Sequence, residues 1–553
     1  MRFRMIRQIV GMAAFAFLAS GAAHAMQANV DQTDPSVVRE ELRNPDRPDR
    51  QRDQPVVTAR NAAANVAGPS EGVVIGAIRI DGATQFRPSA FAPVISSYLG
   101  RPLSGDELRK LATDIANVAR NAGFGLATAI IPEQRIVGGV LRIDLEEGRI
   151  DAIDAKGGAA KPVRRMLAAL VNGKPVRTDA LERQILLAGD IAGVSVGKAR
   201  LERRHGRNVL VVETQRDPVQ LRGYIDNWGS SGVGPLRARA VVNLNGVFAD
   251  NDRLALGALA TPANPGEFSL LTLGYRKGIG TRGTEIVFDG YYAHSRPGGA
   301  LKGLHYSGES IEASIGFEHP IVRSRATSLW LDAGVTTRNV DQSRQGTRIR
   351  SDRFSLATAG LYGITDLAGG RIKGRVGIVQ GFDVLGATAN RDPLASRSDG
   401  SAAFSKVEFW SEYDRNLAKR LSVQLTAQAQ AASRPLLSSE EIGLGGRYFL
   451  RGYDYREFSG DKGVAGSAEL RFDLTKLPAP VTAAQVYAYA DAGSVGNYRG
   501  GAGSGSLASA GGGVRVWLAK KVEADFEVGV PLSRGYAGAK YGPRLSFAVT
   551  GRF

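Results

Sequence analysis

Cysteine is missing from all 553 residues, so disulfides, thiolate metal sites and a cysteine nucleophile are excluded. The compartment stays open on this point, because an oxidising environment permits disulfides without requiring them. Also lacking, beyond the N-terminus, is any apolar run of about 18 residues, which rules out a bundle of membrane helices but not a membrane β-barrel. Histidine is scarce: of the five, His24 falls in the leader, His205 at a hairpin, and His294, His305 and His319 at or near loops. No motif sets one of them against a serine, so catalysis is not expected, and neither is a cofactor or a metal. The formal charge of +17 is not gathered into long basic blocks, which argues against nucleic acid as a partner.

What is present begins with an export signal over 1–25. Arg2, Arg4 and Arg7 precede the apolar stretch Ile9 to Leu18, and Ala23-His24-Ala25 supplies a small-x-small cleavage site before Met26. Residues 26–70 are rich in Asp, Arg, Gln, Asn and Pro and read as a linker. One short helix is expected in it, over 34–44: Asp34 suits the N-cap, Pro35 the first turn, Val38 and Leu42 share a face, and Asn44-Pro45 stops the run. Gly68-Pro69-Ser70-Glu71-Gly72 matches a nucleophile-elbow pattern but lacks the strand and helix that the pattern needs. Gly193 to Ala199 resembles a phosphate loop, yet Ala192 and Ala199 stand where glycine and Ser/Thr are required.

Between 71 and 215 the order β-α-α-β-β occurs twice, over 71–149 and 150–215. The first copy has strands at Val73–Ile80, Gly125–Ile131 and Gly139–Leu145, with helices at Pro88–Leu99 and Ser104–Asn121. The second has strands at Ile150–Ala155, Val194–Glu202 and Arg207–Thr214, with helices at Pro162–Val171 and Thr178–Ala188. Ser104 with Glu107, and Thr178 with Leu181-Glu182, read as helix starts. Each copy is long enough for a small α+β domain.

From 216 to 553 the period changes to two. Val522, Ala524, Phe526 and Val528 alternate with Glu523, Asp525 and Glu527; Leu470 and Phe472 alternate with Glu469, Arg471 and Asp473. About sixteen such segments follow one another, from near Val219 to near Pro543, one of them starting near Asp352, and an even count suits a closed barrel. Short connections alternate with long glycine-rich or polar ones, as in outer-membrane barrels. Glycine is plentiful at 69 residues, about 12% against a usual ~7%, which fits tight turns and closely packed walls. The last strand alternates to a terminal aromatic, Phe553, which resembles the recognition signal of bacterial outer-membrane barrels.

The longest connection, 431–463, carries Leu450-Arg451-Gly452-Tyr453. This segment resembles the (V/I)RG(F/Y) motif on loop 6 of the superfamily of barrel-assembly and two-partner secretion transporters. Tyr489-Ala490-Asp491-Ala492-Gly493 resembles its F-x-D-x-G strand motif, and Pro132-Glu133-Gln134 with Gly139 to Gly148 resembles the first POTRA domain of the hemolysin secretion/activation branch. The departures are Leu450 for Val/Ile and Tyr489 for Phe. Two POTRA repeats and sixteen strands are similar to two-partner secretion transporters; a barrel-assembly insertase is the alternative, and a passive porin a more distant one.

The resemblance implies a transmembrane antiparallel β-barrel preceded by two periplasmic α+β POTRA domains, in the outer membrane of a Gram-negative cell. It implies export of one large, β-rich exoprotein, an adhesin, hemolysin or contact-dependent toxin, without the chain's own ATP hydrolysis. Outer-membrane lipids and, for its own insertion, the barrel assembly machinery are the other implied partners. Loop 6 would be anchored by Arg451, Gly452, Tyr453, Asp491 and Gly493, with Arg451 and Asp491 forming one ion pair; strand parity puts Asp491 on the lumen face, and the other lumen charges, including Glu527, read as hydrated lining. Unfolded cargo would add as a strand to the edge Gly125, Leu126, Ala127, Thr128, Ala129, Ile130 and Ile131. The helix at 34–44, with Val38, Arg39, Glu41 and Leu42, would plug the lumen.

Overall fold

The computed structural model describes residues 34–41, 58–59, 72–230, 232–498, 503–519 and 521–553. The leader expected at 1–25 and most of the linker at 26–70 lie outside the described residues.

In the first α+β unit, Ala77–Asp81, Val140–Glu146 and Thr128–Ile130 form a three-stranded sheet with Val140–Glu146 in the middle. The helix Gly105–Asn121 lies against it, started by a full capping box between Ser104 and Glu107. Leu108, Leu111, Ile115 and Ala119, spaced by three or four, bury its inner face, and the first three pack with Leu141, Ile143 and Leu145. Two expectations need correction. Pro88–Leu99 is not one helix but a 3-10 turn, Pro88–Ala90, and a single turn, Ala92–Ile95, because Pro88 and Pro93 remove donors from so short a run. Val73–Ile80 breaks at Ile75-Gly76, so that Val73–Val74 pairs with Pro102–Leu103 instead.

The second unit repeats the order, with strands Ala152–Gly157, Val194–Arg204 and Arg207–Arg216 and helices Ala160–Leu167 and Thr178–Asp190. Thr178 is not the N-cap; Arg177 is, without a side-chain cap bond. A stronger tertiary partner takes the hydroxyl: Thr178 Oγ1 accepts from the Gly125 N–H and donates to the Gly123 carbonyl, both at 3.0 Å, which joins the two units. The sheet also holds an unexpected fourth strand. Thr58–Ala59, from the linker, pairs in parallel with Arg200 and Leu201 on the sheet edge.

From Val219 onward sixteen antiparallel strands close into a barrel in sequential order, the last pairing with the first. They are β1 (Val219–Asp226), β2 (Arg237–Asn245), β3 (Asp252–Ala260), β4 (Phe268–Ile279), β5 (Thr284–Ser295), β6 (Tyr306–Arg323), β7 (Thr327–Arg344) and β8 (Thr347–Leu367). Then follow β9 (Gly370–Gly381), β10 (Ser405–Asn416), β11 (Leu421–Ala432), β12 (Lys462–Asp473), β13 (Val481–Gly496), β14 (Gly505–Leu518), β15 (Val522–Pro531) and β16 (Arg544–Arg552). The start expected near Asp352 lies at Thr347, the largest displacement. Leu273, Phe317, Val376, Phe409, Leu470 and Phe526 stand exposed on the outer face, as a wall in contact with lipid requires. At the β1–β16 seam Phe553 exchanges backbone hydrogen bonds with Leu221, at 2.8 and 2.9 Å.

Polar contacts fasten the second unit under the barrel. Arg323, at the end of β6, makes two hydrogen bonds to Asp190, at 2.7 and 2.8 Å, and the Arg325 N–H donates to Glu182 at 2.6 Å. In the β2–β3 turn Asp250 pairs with Lys161 at 3.0 Å, whose ammonium holds the carboxyl below its usual range.

Candidate functional site

The loop between β11 and β12 does not stand outside the barrel. It folds back as a hairpin, Ile442–Leu444 against Phe458–Gly460, whose tip packs Leu444, Phe449, Leu450, Tyr453 and Phe458 against Ala465, Val495 and Leu507 of the wall. Two glycines let it lie so close. A Cβ at Gly493 would sit 2.9 Å from Leu444 Cδ2 and 3.1 Å from Leu450 Cδ1, and one at Gly452 would sit 2.9 Å from the Pro531 nitrogen. Gly452 is thus needed for contact with β15, not for a turn: the left-handed residue is the neighbouring Leu450, at φ 60°. A β-branched residue would strain that position more than leucine does. Tyr453 is buried, and its hydroxyl donates to the Ser533 carbonyl at 2.7 Å.

Arg451 meets Asp491, but not as a single pair. Its Nη2 donates to Asp491 Oδ1 at 3.1 Å, and its Nε and backbone N–H reach Asp491 Oδ2 at 3.2 and 3.1 Å. Its Nη1 donates to Glu469 at 2.8 Å and to Glu527 at 3.3 Å. The guanidinium carbon lies over the Tyr489 ring, 3.3 Å from its centre. The Tyr489 hydroxyl, absent from the motif's phenylalanine, donates to Glu527 at 3.0 Å. Gly511 and Gly513 on β14 leave room for this, since a Cβ there would run into the rings of Tyr489 and Tyr487. Glu527 is therefore a direct partner of the arginine, not hydrated lining, and Glu469 joins it. The alternation of β12 and β15 places both on the lumen face. Which of the lumen carboxylates meet Arg451 depends on where the loop tip lies, and no pattern along the chain records that.

Loop 6 has further ties. Arg397, from the β9–β10 loop, donates to Asp461 at 2.8 Å and Glu441 at 3.0 Å. Glu440 reaches the wall on the other side of the loop, to Arg338 on β7 at 2.6 Å and Lys406 on β10 at 2.9 Å. Arg338 in turn holds Glu312 on β6 at 2.7 Å, and Glu312 meets Arg39 of the linker helix at 3.2 Å.

That helix, α1 (Pro35–Glu41), docks inside the barrel against β5 and β6. Asp34 caps it by accepting from the Ser36 N–H at 2.8 Å. Val38 packs with Val233, Leu259, Phe268, Leu270, Tyr291 and Ala293, and Arg39 lies over the Tyr291 ring. Glu41 ends the helix; Leu42 and the expected extension to 44 lie outside the described residues. A cavity of about 1100 Å³ remains beside helix and loop, lined by Arg39, Glu312, Arg338, Glu440, Arg451 and Glu527 among others.

The expected cargo edge is shorter than its sequence suggests. Gly125, Leu126 and Ala127 form a turn, with Leu126 sunk into the core of the second unit and the Ala127 carbonyl held by Arg120 at 2.8 Å. Only Thr128, Ala129 and Ile130 form the edge strand, paired on one side with Val140–Glu146, while Ile131 is buried just beyond it.

A sixteen-stranded barrel preceded by two α+β units is an architecture shared with known outer-membrane proteins. The family model described as haemolysin secretion/activation protein ShlB/FhaC/HecB matches residues 206–516, more than half of the chain. The chain belongs to this family. A ShlB-type POTRA domain matches residues 73–148. The heme/hemopexin transporter protein HuxB of Haemophilus influenzae is 24% identical over 396 residues, 69% of each chain. The outer membrane transporter CdiB of Dickeya dadantii is 22% identical over 85% of this chain and 84% of its own. The solved structure of CdiB from Escherichia coli superposes with a TM-score of 0.71 at 19% identity, covering 97% of this chain and 98% of that one. As a haemolysin secretion/activation protein, the chain is an outer-membrane β-barrel transporter of the two-partner secretion type, in a family of transporters and not of enzymes.

Proposed function

We propose that this transporter exports one large, β-rich exoprotein, of adhesin, haemolysin or contact-dependent toxin type, as an unfolded chain taken up by its POTRA domains. The carrying observation is the occupied lumen: α1 and loop 6 fill a charged passage entirely through non-covalent contacts. A helix of 7 residues is stable only where it docks, so docking and release are closely balanced. A passive porin has no use for such a plug or for strand-bearing domains at its entrance. No ATP hydrolysis by this chain enters the cycle. The outer apolar face sits in outer-membrane lipid, into which the barrel assembly machinery would insert it.

The direct test uses the full chain in proteoliposomes and an unfolded exoprotein fragment added on the POTRA side. Fragment should become protected from added protease only when the transporter is present. Full accessibility of the fragment, in vesicles shown to hold conducting barrels, would reject the reading.

Cargo would first pair with the edge Thr128–Ile130. Successive residues on an edge strand point their N–H groups to opposite sides. Of Thr128→Pro and Ala129→Pro, the one that strips the outer donor should cut export to background with the domain still folded by circular dichroism; normal export by both variants would remove this edge from the route.

A further inference from the structure

The second α+β unit has its own edge, Val194–Arg204, and the chain itself sits on it. Thr58–Ala59 pairs there in parallel, opposite Arg200 and Leu201, and the other nine residues of the 11-residue strand have no outer partner among the described residues. A long edge strand is a ready template for any extended chain. Among the described residues the occupant covers a small part of it and is held by backbone pairing, the kind of contact that an incoming extended peptide makes with little sequence demand. Lys198 and Arg203 stand exposed on the same strand, with no ion pair among the described residues, which favours a neutral or acidic segment.

We propose that this edge is a docking site for an extended segment of the exoprotein, and that Thr58–Ala59 holds it as an internal competitor until cargo arrives. The proposal rests on the export reading above and adds regulation to it. The same linker carries α1, so the two events are linked through the chain. With Thr58–Ala59 in place, α1 is joined to the sheet by residues 42–57; once cargo displaces that strand, the next paired residue among the described residues is Val73, and the connection becomes 42–72. Cargo binding at the edge thereby gives the plug helix the length to leave the lumen, and by linkage a departed helix makes the edge easier to occupy.

The absence of cysteine allows a clean test in the full chain. Neighbouring strands lie about 4.8 Å apart, within disulfide reach, so Thr58→Cys with Arg200→Cys should bridge the linker to the edge under oxidation. The bridged transporter should lose export and regain it on reduction. Export that continues with the bridge closed, or failure of the pair to bridge at all, would overturn the proposal. Deleting residues 30–46 in the bridged chain separates the two roles of the strand. Export should stay blocked if the edge receives cargo; recovery would show that only the tether of α1 matters and would overturn the docking site. A wild-type chain that exports nothing in the same assay would instead defeat the export reading itself.

Discussion

Arg451→Ala should abolish export while the barrel still inserts. The residue is buried, and its removal leaves Glu469, Asp491 and Glu527 facing one another with Arg515 and Arg471 as the cations that remain, bonded to Glu469 at 2.6 and 2.7 Å. Breaking a buried charge cluster by taking out one partner costs about 3 to 5 kcal/mol when the site is dry, and less in a wet lumen. Either value is large against the balance that keeps a loop folded inward. The cluster also orders the variants. Asp491→Asn should do less harm, because Glu469, Glu527 and the Tyr489 face still hold the arginine. Adding it to Arg451→Ala should do little further damage, since the side-chain contacts of Asp491 with Arg451 are already gone. Arg451→Lys should restore export only in part: an ammonium cannot fork between carboxylates and lie over a ring at once. Export is read in the medium and insertion by heat-modifiable gel mobility. Simple addition of the two effects would mean that the residues act independently.

Deleting residues 30–46 should raise single-channel conductance in planar bilayers severalfold. α1 occupies the lumen beside β5 and β6, and a helix with its side chains is about 10 Å across, so its removal opens a wide path. Arg39→Ala should move conductance in the same direction by less, because it removes the Glu312 contact and the Tyr291 stacking but leaves Val38 in its apolar pocket. Unchanged conductance in the deletion would mean that α1 does not obstruct the passage.

The barrel was legible because two solvents act on each strand. In β15 lipid demands Phe526 and Val528 on one side while the lumen admits Asp525 and Glu527 on the other, and that contrast is written residue by residue. The contrast fades where a strand runs past the lipid, so that the first residues of β8, Thr347 to Ser351, gave no signal. Capping at Ser104 is local and was readable; at Thr178 the same local signal lost to a partner 55 residues away, Gly123. Arg451 and Asp491 were visible through their motifs. Glu469 and Glu527 were not visible as its partners, because a loop's position against a wall is a tertiary fact. The edge strand Thr58–Ala59 left no trace, since two residues paired through backbone alone need no particular side chains.

Passage of a partner exoprotein outward through this barrel should depend on the inner loop. The most direct measurement expresses the full chain in a Gram-negative host that lacks such a transporter, together with a candidate partner exoprotein, and follows exoprotein in the medium. Exoprotein should appear outside with the wild-type chain, stay inside without it, and stay inside with an inserted Arg451→Ala chain. Equal release with and without the transporter, or undiminished release by Arg451→Ala, would contradict that expectation.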